Sequence, residues 1–211
     1  MRVSGAFAVV LAVSACGSSA TKQSAGEPKG NFPVEVSTAS FPASQRLAER
    51  TDLVIAVRNA GSKTIPNVAV TITNPAYGTA AQAFGTLLPQ SAPGQPILAG
   101  RSRPVWIVDQ PPGPRGYSTS QGGPGGAVTA YSNTWALGRL APGQTARFDW
   151  GVTAVQPGSY TVRYVVAAGL TGRARAVLAS GGPVAGSFHV RILAGPRQAY
   201  VNNAGKIVYS K

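Results

Sequence analysis

One spacing dominates the chain. From Val34 onward, apolar side chains recur at every second position, and short clusters of Gly, Pro, Asn and Ser interrupt them. In "TDLVIAVRNAGSKTIPNVAVTITN", Leu53, Ile55 and Val57 alternate with Asp52, Val54, Ala56 and Arg58; residues 59–62 break the run, and Val68, Val70 and Ile72 resume it. Alternation flanked by turn residues predicts two antiparallel strands, each with one face buried. Burying one such aliphatic side chain contributes about 1.5–3 kcal/mol. The second half repeats the pattern. Pro142-Gly143 opens a strand with Ala146, Phe148, Trp150 and Val152 on one side and Arg147 and Asp149 on the other. Pro157-Gly158 opens another with Tyr160, Val162, Tyr164 and Val166 inward, and "GRARAVLAS" and "GSFHVRIL" follow, the latter with Phe188, Val190 and Ile192 inward. Short alternating strands at even spacing, punctuated by Gly and Pro, are the signature of a sandwich, and no helical period persists beyond a turn or two. The expected fold is an all-β, antiparallel sandwich over residues 34–195.

Two stretches depart from the alternation. Residues 76–132 are too long for a sandwich connection, since structureless loops beyond about 12–15 residues are uncommon and often functional. This Gly/Pro-rich insertion contains one strand pattern, residues 103–108, an edge segment near 84–88, and the turn-rich "DQPPGPRGYSTSQGGPGG". It is either a binding surface or a decoration that extends the sandwich. Residues 196–211, "QAYVNNAGKIVYSK" with two residues before it, predict a hairpin of 199–201 and 206–209 around a turn at 202–205. Isolated hairpins are marginal in water, so this one should dock on the domain or on a partner.

The front end has a different composition. Arg2 supplies a positive charge, and residues 5–15 are apolar or small, too short a run to span a bilayer but suited to a secretory signal. Val13-Ser14-Ala15-Cys16 resembles the bacterial lipobox, although Leu is commoner than Val at its first position. That resemblance implies that residues 1–15 are removed and that Cys16 carries a diacylglycerol, anchoring the chain to a membrane. Two or more acyl chains hold a protein stably on a bilayer. Cys16 is the single cysteine, so no disulfide within the chain is possible, and a lone thiol in an exported protein itself requires explanation. The stretch from Cys16 to residue 33 is mostly polar and small and reads as a flexible tether. The expected location is extracytoplasmic, on the membrane surface.

The strand motifs also carry a family resemblance. Val57-Arg58-Asn59-Ala60-Gly61 is a V-x-N-x-G strand end, Leu140-Ala141-Pro142-Gly143 an L-x-P-G turn, and Gly158-Ser159-Tyr160-Thr161-Val162 a G-x-Y-x-V strand. Together they resemble the immunoglobulin-like modules of bacterial surface proteins, the CARDB and DUF11-type domains, over residues 50–74 and 135–192. The resemblance implies an immunoglobulin-like sandwich acting as an adhesive or spacer unit without catalytic residues. Such folds host many functions.

Charge changes the picture more than chemistry does. The net charge is +13 and the pI 10.8, with only 12% of residues charged. No aromatic-interleaved basic motif and no groove-entering helix accompanies that charge, so nucleic acid is not the expected partner. An exported chain meets anionic lipids, envelope polymers and other envelope proteins instead. Arg147, Arg163, Arg173, Arg175 and Arg191 all take the parity opposite the apolar positions, and they would form one basic face if their strands shared a sheet. Guanidinium forks suit carboxylates and phosphates; the competing reading is a scattered, solvated exterior. Trp106, beside Arg103 and Arg115, is a candidate contact for sugar or polymer, against the plainer reading of a packing residue on an added strand.

Enzyme chemistry finds little support. No G-x-S-x-G elbow occurs, and the single histidine, His189, sits at an outward strand position. The carboxylates Glu27, Glu35, Glu49, Asp52, Asp109 and Asp149 are scattered, and "GGPGG" lacks the Lys of a phosphate loop. One His, one Cys and a Met lost with the signal make a metal site or a cofactor unexpected. The alternative to a binding or structural module is an envelope enzyme or accessory with its site in the insertion, for which altering Asp109 or His189 would abolish turnover.

Overall fold

The computed structural model describes residues 26–75, 83–86, 104–113, 133–195 and 198–209, and every regular element among them is a strand. In chain order these are β1 (Gly30–Ser40), β2 (Ser44–Arg46), β3 (Arg50–Asn59), β4 (Ala69–Thr73), β5 (Phe84–Thr86), β6 (Trp106–Gln110), β7 (Thr134–Ala136), β8 (Thr145–Ala154), β9 (Gly158–Ala167), β10 (Ala174–Val177), β11 (Ala185–Leu193), β12 (Ala199–Val201) and β13 (Ile207–Tyr209). They form a six-stranded sheet in the order β10-β1-β3-β8-β6-β5 and a five-stranded sheet in the order β2-β11-β9-β4-β7, with β12 and β13 as a separate hairpin. The chain is an all-β, immunoglobulin-like sandwich.

The alternation seen in the sequence builds the core. Leu53, Ile55 and Val57 of β3 lie beside Phe148 and Trp150 of β8, all fully buried, and pack with Val70, Ile72, Val162 and Val190 of the other sheet in one cluster. Val54 and Ala56 hold the outward parity of β3 and are nevertheless almost fully shielded, because β3 is a central strand flanked by β1 and β8. The Leu140-Ala141-Pro142-Gly143 turn closes with a bond from the Gln144 amide to the Ala141 carbonyl, and Gly143 takes φ +75°, the left-handed conformation that such a turn requires after proline. The C-terminal hairpin forms where the sequence places it, pairing Ala199 with Tyr209 and Val201 with Ile207.

Two features differ from the sequence reading, and a third decides between its alternatives. The sheets are not uniformly antiparallel: β1 with β10, β2 with β11, and β5 with β6 pair in parallel. Sequence alternation fixes which face of a strand is buried and says nothing of its neighbour's direction. The segment read as tether is partly fold, since Gly30–Pro33 pair with Ala174–Val177, Phe32 is buried, and Glu27 is only 8% exposed. The insertion contributes β5 and β6 to one edge of the six-stranded sheet, with β6 pairing on β8. Most of the rest of the insertion, including Arg103 and Arg115, lies outside the described residues, as do the signal segment and Cys16.

Candidate interaction surfaces

Three of the buried polar side chains, Glu27, Gln45 and Asn59, hold the fold together. Glu27 accepts hydrogen bonds from the backbone amides of Leu170 (2.8 Å), Thr171 (3.0 Å) and Ala174 (2.9 Å), holding the loop that enters β10. Burial pushes its carboxyl up, but the backbone bonds from Ala174, Thr171 and Leu170, together with the Thr171 hydroxyl, outweigh it and leave the group below its ordinary value. The carboxylate lies against Gly169, where a Cβ would collide with it. Asn59 is fully buried and donates to the carbonyls of Lys63 and Leu140, both at 2.9 Å, while its oxygen accepts from the Gly61 amide at 3.0 Å. Gln45 donates to the Pro42 carbonyl and accepts from the Trp106 indole at 2.7 Å, joining the edge of one sheet to the inner face of the other.

Trp106 is therefore a core residue. It is fully buried, with Phe41, Tyr160 and Phe84 around it at ring-centroid distances of 5.4, 5.7 and 6.1 Å. The candidate contact for a partner is corrected on this point: Trp106 offers no surface, because its position on β6 turns the ring into the core between the sheets.

The five arginines proposed as one basic face divide between two. Arg147 on β8 and Arg175 on β10 point outward from the six-stranded sheet, with Arg173 exposed in the loop before β10; Arg163 on β9 and Arg191 on β11 point outward from the five-stranded sheet. The condition for a single face, that these strands share a sheet, is not met, because the sandwich sends strands adjacent in sequence to both sheets.

The two outer faces differ in charge. The six-stranded face mixes signs: Arg58 meets Glu35 at 3.5 Å, Arg147 meets Asp149 at 3.4 Å, and Thr153 donates to Asp109. A shallow depression of about 280 Å³ opens there, lined by Arg50, Asp52, Gln110, Asp149 and Gly151, with Arg50 lying across Gly151 to donate to Gln110 at 3.1 Å. These exposed pairs add little stability. On the five-stranded sheet, the outward positions of β2, β11, β9, β4 and β7 carry Arg46, Arg163, His189 and Arg191 among Ser, Thr, Ala, Val and Leu, and no carboxylate. His189 contacts the Thr161 hydroxyl at 3.2 Å. Asp109 and His189 thus stand on opposite faces of the sandwich. Arg46, on a three-residue strand outside any alternation, is the member that sequence reasoning missed.

The chain enters and leaves at opposite ends of the sandwich. β1 begins where it pairs with the start of β10, whereas β11 ends beside β2 and the start of β9. Beyond β11, the hairpin exposes Tyr200, Val201, Ile207 and Tyr209, each by more than half its surface.

No family model matches the chain, and no curated protein matches it. Similar solved structures include the native conformation of Escherichia coli α-2-macroglobulin, at 12% identity and TM-score 0.39, with 80% of this chain covered and 7% of that one. A fragment of the same E. coli protein, from domain MG7 to its C-terminus, is similar at 13% identity and TM-score 0.40, covering 80% of this chain and 18% of that one. A CARDB domain from Pyrococcus furiosus, solved in complex with di-metal ions, is similar at 12% identity and TM-score 0.40, covering 78% of this chain and 94% of that one. The CARDB-type module named from the strand motifs is thus among the structures the chain resembles.

Proposed function

We propose that the protein is a non-enzymatic envelope lipoprotein, held on the membrane by a lipid at Cys16 and presenting one immunoglobulin-like sandwich as a binding or structural module. The observation that carries this reading is the sequence Val13-Ser14-Ala15-Cys16, followed by a polar stretch that gives way to fold near Glu27. The residues between Cys16 and Glu27 are mostly small and polar, a composition suited to a tether. The placement of polar groups supports the non-enzymatic part. Glu27, Gln45 and Asn59 are occupied in holding the fold, and Asp109 and His189 face opposite sides.

The test is Cys16→Ser in the full chain expressed in a bacterial host, followed by fractionation and labelling with an alkyne fatty acid. The wild-type chain should float with membranes, carry the label and lack residues 1–15, and the variant should lose the label and leave the membrane. A mature wild-type chain that starts at Met1 with an unmodified thiol refutes the anchor.

A further inference from the structure

We infer that the outer face of the five-stranded sheet binds a linear polyanion, a phosphodiester-linked polyol chain, along a diagonal row formed by Arg163, His189, Arg191 and Arg46. The inference rests on the reading of an exported module and names the face and the chemistry of its partner.

The row follows from register. Arg163 on β9 stands opposite Ser187 on β11, His189 and Arg191 lie two and four residues further along β11, and Arg46 on β2 stands opposite Leu193. With about 3.4 Å per residue along a strand and about 4.8 Å between strands, the steps are roughly 8, 7 and 8 Å and the whole row roughly 22 Å. All four side chains take the outward parity; Arg163, His189 and Arg191 are exposed and Arg46 is half-buried. None of the three arginines has an acidic partner among the described residues. The nearest carboxylate, Glu49, accepts a hydrogen bond from the Arg46 backbone amide at 2.8 Å, at the very end of the row.

The charge distribution sets this face apart. Five of the six carboxylates lie elsewhere, Glu35, Asp52, Asp109 and Asp149 on the six-stranded sheet and Glu27 inside the fold, and Glu49 sits in the β2–β3 turn at the Arg46 end. A surface that lines up three arginines, with steps of roughly 14 and 8 Å, and carries no carboxylate on its strands suits a chain of regularly spaced anions. A glycerol phosphate polymer places one charge on every six backbone bonds, about 7 Å when extended, close to the spacing of the row. Guanidinium forks bind phosphate oxygens in pairs. The positions beside the row, Ser44, Ser159, Thr161 and Ser187, are short hydroxyls that leave the guanidiniums standing above the sheet.

The same inventory argues against two other anionic partners. Single-stranded nucleic acid is held by aromatic platforms on which bases stack. No Trp, Tyr or Phe occupies an outward position of this sheet among the described residues. A membrane-lying surface presents an apolar face with Trp or Phe beside its cations, and this one presents mainly Ser and Thr, with Val165 its exposed large apolar side chain.

The test compares two triple variants of the full chain, purified in non-ionic detergent, that lose the same charge: Arg46→Gln/Arg163→Gln/Arg191→Gln on the row, and Arg147→Gln/Arg173→Gln/Arg175→Gln away from it. The probe is an end-labelled poly(glycerol phosphate), followed by fluorescence anisotropy at several salt concentrations. The row variant should bind at least about tenfold more weakly and with a shallower salt dependence, while the control variant stays within about threefold of wild type. All six arginines point outward, so a matched melting temperature certifies the fold of both variants. Equal weakening of the two variants overturns the proposal, because diffuse attraction to a +13 chain is then sufficient. Equal or tighter binding of polygalacturonate, oligo-dT or phosphatidylglycerol vesicles through the same arginines also overturns it, in favour of a carboxylate polymer, a nucleic acid or a membrane. Binding is read on purified protein, so its failure leaves the anchoring at Cys16 standing, and failure of anchoring leaves this binding standing.

Discussion

Replacing Glu27 tests whether the start of the fold is where the structure puts it. Its carboxylate is the acceptor for three backbone amides, of Leu170, Thr171 and Ala174. Hydrogen bonds to a charged group contribute about 1.5–3 kcal/mol each, but the loss on removal is smaller where water can take over. Thr171 is exposed and Leu170 partly so, whereas Ala174 is buried and would keep an unpaired amide. Glu27→Ala should therefore cost about 2–4 kcal/mol, and Glu27→Gln, which keeps one accepting oxygen, about 1–2 kcal/mol. For a domain of this size each kcal/mol moves the melting temperature by about 2–4 °C, so the alanine variant should melt about 4–16 °C lower. The pH dependence has a definite sign. The folded carboxyl lies below its ordinary value, so its contribution is complete above the unfolded value, about pH 4.3, and is lost as pH falls through the folded value. The gap between wild type and Glu27→Gln should be full at neutral pH and narrow in acid. Differential scanning calorimetry across that range is the assay. A melting temperature for Glu27→Ala equal to wild type, or a gap that does not narrow in acid, would refute the docked position of Glu27.

Two further substitutions probe the interior. Asn59→Ala removes bonds to Lys63, Leu140 and Gly61 and should cost about 2–4 kcal/mol in urea unfolding; Asn59→Asp should cost more, since it sets a charged acceptor against two carbonyl oxygens. Trp106→Phe should cost about 2–4 kcal/mol by leaving a void and an unpaired Gln45 oxygen, and a double-mutant cycle with Gln45→Leu should recover part of it; additivity would show that the 2.7 Å indole bond is not formed.

What could be read from the chain was whatever depends on a strand's own residues. The inward sets Leu53-Ile55-Val57, Phe148-Trp150-Val152 and Val162-Tyr164-Val166 needed only parity, and all are buried. The hairpin needed only a turn, residues 202–205, between two short β-prone runs. What could not be read depends on partners far along the chain. Glu27 looks like part of a polar leash until it meets amides more than 140 residues away. Gly30–Pro33 gives no alternation long enough to announce a strand, and it is strand because Ala174–Val177 lies alongside. The outward parity of Arg163 and Arg191 was legible, yet their union with Arg46 and separation from Arg147 and Arg175 were not, since these are facts of topology. Trp106 followed the same rule. Its arginine neighbours in sequence suggested a surface contact, and the pairing of β6 on β8 turned it into the core.

The motifs behind the family resemblance have physical reasons that involve no ligand. Asn59, of V-x-N-x-G, bonds to the carbonyl of Leu140, of L-x-P-G, across 81 residues; the Asn59 amide donates to Gln144, and the Gly143 amide donates back to Asn59. The two motifs are halves of one clasp that locks the end of β3 to the turn entering β8. In G-x-Y-x-V, the Tyr160 hydroxyl donates to the Pro157 carbonyl at 2.9 Å, securing the turn that leads from β8 into β9. In this chain these side chains are engaged in joining strands and turns, not in contacting a partner. The residues most useful for recognising the fold are therefore uninformative about partner choice. Partner choice falls to outward positions such as Arg46, Arg163 and Arg191, which the fold leaves free to vary and where no motif marks them.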